Sequence, residues 1–211
     1  MLGASPSAPT YCDIEVDAVA SSGDGIRLRR PDFYFVDEQE ALWRYEDEQA
    51  KARAAGTKVI LSEHLRQVIR SEKGPVYQYP CDLMMKQYPI SYFSSHRIWV
   101  RGITVPMCGG GLALQFAVNH GGKDIHLVGL EGYRGEGHKD YFTGQMGNSL
   151  GIKYTKVVYG PFVRKVVTRL QDVHFTFYGD LSYEVEGDNV TFVTGETNPA
   201  QVLSRGLSLK E

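Results

Sequence analysis

Cysteine is scarce in this sequence, and no sign of charge prevails. The three cysteines, Cys12, Cys81 and Cys108, stand far apart and are odd in number. They form neither a disulfide framework nor a CxxC or Cys/His set with zinc spacing, and they read as buried free thiols of a reducing cytoplasm. A formal net charge of only -2 excludes a protein that grips nucleic acid or anionic lipid over its whole surface. Arg27, Arg29 and Arg30 are the densest basic cluster and read as a solvated loop. No apolar run reaches membrane-spanning length, and the N-terminus lacks both the charged start and the long apolar run of a secretory leader. A cytoplasmic protein without a membrane partner is the expectation. Two nucleotide fingerprints, GxGxxG and GxxxxGK[ST], are missing as well. So are internal repeats and low-complexity linkers.

What is there is an ordinary globular composition over 211 residues, 42% of them hydrophobic, enough to bury a real core in one domain. Short β-rich runs alternate with helical ones, the mark of an α/β layered domain with a mostly parallel sheet flanked by helices. Val16–Ser22 and Asp32–Val36 read as strands. Asp37 then offers an N-cap with Glu40 three residues on, opening one helix over Glu38–Ala55 that Gly56 stops. Lys58–Leu61 reads as a buried strand, and Ser62 caps a helix over Glu63–Arg70. In residues 74–105, Val76–Tyr79 and Arg97–Val100 read as strands, while Met84–Ser95 has no clear period. That stretch fits an insertion or substrate lid and fits an irregular packed connection equally. Leu112–Asn119, apolar on nearly all sides, reads as a central helix closed by Gly121-Gly122. Asp124–Val128 follows as a strand covered on both faces. Pro161 at N1 opens a last helix, Phe162–Leu170. Val173–Tyr178 is a strand, and Ser182–Val185 with Val190–Val193 are expected as a C-terminal β-hairpin.

In an open parallel sheet, ligands bind outside the carboxyl ends of the strands. One loop of that kind is the small-residue stretch Gly3-Ala4-Ser5-Pro6-Ser7. Another is the run Gly109-Gly110-Gly111, which fits a tight strand-to-helix turn and a phosphate cradle equally. The third follows the DIHLV strand, where Glu131, Tyr133, His138, Asp140 and Tyr141 gather in a glycine-rich loop. A carboxyl, an imidazole and phenols there supply acid–base and hydrogen-bonding groups, although the same composition suits a solvated surface loop. His138 is singled out because His64 and His120 fall on helices, His126 and His174 on strands, and His96 just before one.

The order of a GxxPS loop, PDxYxxD, GGG before an apolar helix, and GxKDIxLxGxExY resembles a Rossmann-like family. It comprises bacterial sialyltransferases, archaeal 6-hydroxymethylpterin diphosphokinase-like proteins and phage proteins of the norphogenetic type. The resemblance runs from about Leu2 to about Tyr141. It implies a single nucleotide-binding domain over 1–211, in which Gly3, Ala4, Ser5, Ser7, Ser22, Asp37, Gly109, Gly110 and Gly111 hold a nucleotide. It further implies His138 as general base, Tyr133 and Tyr141 beside the leaving phosphate, and Glu131 at the family's usual aspartate. The chain departs from the family pattern where Ala4 and Ser5 replace an asparagine, where the glycine run lacks a serine, and at Glu131 itself.

The function these features imply is transfer of a group from a nucleotide-activated donor, such as a nucleotide sugar, to an acceptor hydroxyl. No resident cofactor and no metal-ligand set is assigned, with Mg²⁺ as a candidate co-ion. An alternative is ATP-dependent pyrophosphoryl transfer to a small hydroxymethyl compound, with Asp37 and Glu131 recruited to a divalent metal. Another is a non-catalytic nucleotide-sequestering protein. A nucleic-acid-borne hydroxyl as acceptor and a homo-oligomer stay open. If a phage encodes the chain, the compartment is the host cytoplasm.

Overall fold

The computed structural model describes residues 1–36, 39–62, 65, 82–85, 97–100, 103–106, 109–134, 138, 143, 153 and 155–195. The chain forms two compact units, Met1–Gly3 with Asp17–Gly122, and Ala4–Val16 with Lys123–Glu211. Each is an α/β layer. The expected helix N-cap at Asp37, most of the Glu63–Arg70 helix and the Val76–Tyr79 strand lie outside the described residues. Among the described residues no helix is long and apolar enough to cross a membrane.

In the first unit, four strands lie parallel in the order β1 (Ala20–Ser22), β2 (Phe33–Val36), β3 (Lys58–Ser62), β4 (Leu83–Met85). Leu2 adds a parallel bridge to Ser21. Tyr34, Phe35, Val36, Val59, Ile60 and Leu61 are almost fully buried, as strands covered on both faces require. Each such side chain contributes about 1.5–3 kcal/mol. Within residues 74–105, Leu83–Met85 extends this sheet, and β5 (Arg97–Val100) with β6 (Ile103–Pro106) form an antiparallel ribbon.

The helix expected over Glu38–Ala55 is two helices, α2 (Gln39–Arg44) and α3 (Glu46–Ala54), broken at Tyr45 (φ -117°, ψ 24°). Tyr45 is buried at the break, with the Arg27 guanidinium 5.0 Å above its ring. Burial, and secondarily Asp24, pushes its phenol up to about 12. At the break the buried Gln49 Nε2 donates to Ala41 O (3.2 Å), which also accepts the Tyr45 N–H (3.4 Å), and to Leu42 O (3.4 Å).

The helix expected to begin at Leu112 begins instead at Gly109, as α4 (Gly109–Asn119). The three glycines are its first turn rather than a loop ahead of it. Gly109, Leu112 and Ala113 are buried together at i, i+3, i+4 spacing. Phe116, on the same helix, packs on Phe33 (4.7 Å between ring centroids) and Phe35 (5.5 Å).

In the second unit, β7 (Asp124–Val128), β8 (His174–Tyr178) and β9 (Val190–Val193) lie parallel in that order. A four-residue helix α1 (Ala8–Tyr11) and a π-helical turn (Thr155–Tyr159) running into α5 (Gly160–Arg169) complete it. Phe162, Val163, Val166 and Val167 form the buried stripe of α5.

The C-terminal hairpin is corrected in part. Val190–Val193 is a strand, but it pairs in parallel with β8, and Ser182–Val185 is irregular chain. The reason lies in competing hydrogen bonds. Ser182 gives both its main-chain N–H and its hydroxyl to Glu131 O, each at 2.8 Å, so this segment is committed to the loop after β7. Asn189 does comparable work at the start of β9. Its buried Nδ2 donates to the carbonyls of Val167 (3.2 Å), Leu170 (3.0 Å) and Val173 (2.9 Å), which caps the C-terminal end of α5.

Replacing Asn189 with Ala removes a donor shared by three carbonyls, two of which keep Gln171 Nε2 (Val167 O) and the Val173 N–H (Leu170 O), and is expected to cost about 1–2 kcal/mol in urea denaturation. Asn189→Asp is expected to cost more, since a carboxylate faces the same carbonyl oxygens with no proton to give. Equal stability of the two variants would contradict the capping role.

Candidate functional site

The second unit carries the densest set of expected site residues. Its strands β7 and β8 both end in a glycine with positive φ, Gly129 (69°) and Gly179 (89°). Gly132 (81°) closes the turn after β7. Between the glycines of that turn stands Glu131, only 4% exposed. The Ser7 hydroxyl donates to Glu131 Oε1, and the Ser5 N–H donates to Gly129 O at 3.1 Å. Those two bonds seat the loop Ala4–Ser7 against the carboxyl ends of the parallel strands, where α/β sheets present their ligands.

Gly179 is required here by close approach. A side-chain carbon at this position would lie 2.5 Å from Glu131 Oε1 and 2.7 Å from Ser7 Oγ. The main chain of the Glu131 loop is tied on further sides. Tyr133 N–H donates to the buried Thr155 Oγ1 (2.8 Å), and Tyr183 Oη donates to Leu130 O (2.8 Å). Arg134 Nη2 donates to Asp180 O (2.8 Å).

Burial pushes the Glu131 carboxyl up to about 7, while the Arg134 charge and a hydrogen bond from the Ser7 main chain pull the other way. The group therefore changes protonation near neutrality, as a general acid or base must. Elsewhere in the same unit, Tyr11 and Tyr178 pack ring to ring at 5.2 Å, and Tyr178 Oη bonds His126 Nδ1 at 2.8 Å. Burial raises the Tyr178 phenol and lowers the His126 imidazole. His174 Nε2 meets Thr191 Oγ1 at 3.0 Å, so each of these strand histidines engages a hydroxyl on the adjacent strand.

Of the residues singled out from the sequence, Ala4, Ser5, Ser7, Glu131, Tyr133 and His138 belong to the second unit. Ser7 and Glu131 are brought into contact; Tyr133 is half-buried and His138 is exposed. Gly3, Ser22, Gly109, Gly110 and Gly111 belong to the first unit. There Gly3 is buried, Ser22 ends β1, and the glycine run is the first turn of α4. Asp37, Asp140 and Tyr141 lie outside the described residues. Among the described residues, no group of three or more His, Cys, Asp and Glu is placed to hold a metal ion.

Sequence reasoning missed Gly179, Ser182 and Tyr183. One signal was available: the apolar run HFTFY ends in Gly179 as DIHLV ends in Gly129, and two such endings in one parallel sheet mark one edge.

The raised Glu131 pKa has a consequence for stability. The unfolded carboxyl titrates near 4.5 and the folded one near 7, so folding favours the protonated form. Its contribution is complete below about 4.5 and is lost as pH rises through 7. Wild-type protein is expected to lose about 2–3 kcal/mol from this group between pH 5 and pH 8. Glu131→Gln, which keeps an acceptor for Ser7, removes that loss. Urea melts at both pH values should show near-equal stability at pH 5 and a more stable variant at pH 8. A variant that tracks wild type at both values would contradict the assignment.

No family model, curated protein or solved structure matches this chain.

Proposed function

We propose that this chain is a nucleotide-dependent transferase, glycosyltransferase-like, that moves a group from a nucleotide-activated donor to an acceptor hydroxyl. The observation that carries the reading is Glu131, a buried carboxyl held by Ser7 at the carboxyl ends of β7 and β8 and titrating near neutrality. In this reading the deprotonated carboxyl takes the proton of the acceptor hydroxyl as its oxygen attacks the donor carbon. The bond from that carbon to the nucleotide's phosphate breaks, and the phosphate leaves with the electron pair. Glu131 thus takes the role that the resemblance gives to His138, whose side chain is exposed. Exclusion of water around a buried base strengthens its interactions with the reacting groups.

The nucleotide part of the reading draws on the family resemblance over Leu2–Tyr141. In the first unit, the opening turn of α4 at Gly109–Gly111 supports it separately. Helix-initial N–H groups and the helix dipole favour a phosphate.

The test begins with a thermal-shift screen against CMP-, UDP-, GDP- and ADP-sugars and ATP, with and without Mg²⁺. A donor in excess over its Kd is expected to stabilise the protein by about 2–3 kcal/mol. With that donor, Glu131→Gln should keep the shift and lower kcat by about 100-fold or more, whereas His138→Ala should lower it by less than about tenfold. The reverse order of effects would return the proton to His138. A shift without turnover for any acceptor would make the chain a sequestering protein. Turnover that collapses in EDTA, with ATP as the donor, would favour pyrophosphoryl transfer.

A further inference from the structure

After Gly179 the chain leaves the sheet, and residues 179–181 and 183–186 border an open groove of about 340 Å³ together with Phe192 of β9 and Thr194 just after it. Its lining combines the apolar Leu181, Val185 and Phe192 with the carboxylates of Asp180, Glu184 and Glu186. These carboxylates are exposed, and among the described residues none of them forms an ion pair. Among the described residues, no lysine, arginine or histidine lines the groove. Arg134, which bonds the Asp180 carbonyl, is not part of the lining.

Phe192 is the second unusual feature. Its ring is held by stacking on Phe177 at 5.8 Å and 24°, yet the residue is 45% exposed. A fixed aromatic surface beside unpaired carboxylates suits an organic cation, whose charge gains from the carboxylates and whose apolar body gains from the ring. The groove's volume falls in the range of small-molecule sites rather than extended interfaces.

We propose that this groove binds a small organic cation, an ammonium or guanidinium carried on an apolar or ring-shaped body. Resting on the transferase reading, that cation belongs to the acceptor: the substrate is a hydroxyl compound that bears an amine. The placement supports this role because Gly179 both lines the groove and packs against the Glu131 carboxyl. Ser182 and Tyr183 bond the main chain of Glu131 and Leu130, so the groove wall and the candidate base are parts of one hydrogen-bonded framework. The charged end lies along Asp180, Glu184 and Glu186, and the apolar body lies on Phe192.

The probes are benzylammonium, benzyl alcohol and benzoate, titrated calorimetrically into the full chain at low salt. Benzylammonium is expected to bind at least about tenfold more tightly than benzyl alcohol, with benzoate weakest and the preference shrinking as salt is added. The double variant Glu184→Gln, Glu186→Gln should erase the preference, while Phe192→Ala should weaken both aromatic probes alike. Urea midpoints equal to wild type would show that these surface changes leave the fold intact. Equal binding of ammonium and alcohol, or a preference that survives the double variant, overturns the proposal. The nucleotide thermal shift recorded on the same samples separates the two readings. A shift that persists without cation selectivity overturns the groove assignment alone. Selectivity with no shift for any nucleotide overturns the acceptor role together with the transferase reading, and leaves a cation site.

Discussion

The second unit is organised around the burial of one carboxyl. Glu131 sits at the end of β7 with almost no exposed surface, accepts the Ser7 hydroxyl and lies against the bare main chain of Gly179. A carboxyl taken out of water must be hydrogen-bonded or protonated, and here both conditions shape the surroundings. The requirement for a donor draws in the loop Ala4–Ser7, and the requirement for space keeps position 179 without a side chain. The incomplete compensation moves the carboxyl into the neutral range. A structural need and a chemical capacity thus share one cause.

Around that point, irregular chain is held by side chains that donate to main-chain carbonyls. Ser182 and Tyr183 bond Glu131 O and Leu130 O, and Asn189 collects the carbonyls at the end of α5 and the start of β8. In the first unit Gln49 does the same at the α2–α3 break, and Thr57 Oγ1 donates to Pro31 O at 2.6 Å. Apolar burial supplies the larger share of the energy. These bonds select one path for each connection, because a buried carbonyl without a donor costs about 1–3 kcal/mol.

Glu131 was legible because it follows an apolar strand in a glycine-rich loop, a pattern of local chain. Its partner was harder: Ser7 stood out only as a member of a small-residue loop, and nothing local pairs position 7 with position 131. Gly179 and Tyr183 were missed because their roles arise from what approaches them across the sheet edge. His138 was legible as a loop residue, and the structure adds that its side chain is exposed. The helix break at Tyr45 was hidden for a related reason. Local composition favours helix throughout, and only the burial of the ring against the first unit's core bends the chain.

Sequence by itself determined the alternation of strand and helix, the apolar strands of an α/β layer and the glycine-ended loops where polar groups collect. These are properties of segments some ten residues long, set by side-chain period and backbone freedom. Only tertiary structure decided that β9 runs parallel to β8 instead of folding back as a hairpin, that the glycine run is a helical turn, and that Ser7 meets Glu131. The glycine turn follows from burial of Gly109 with Leu112 and Ala113, while the other two outcomes depend on Ser182 and Ser7 finding Glu131 far along the chain. That competition is settled by packing, after the segments have formed.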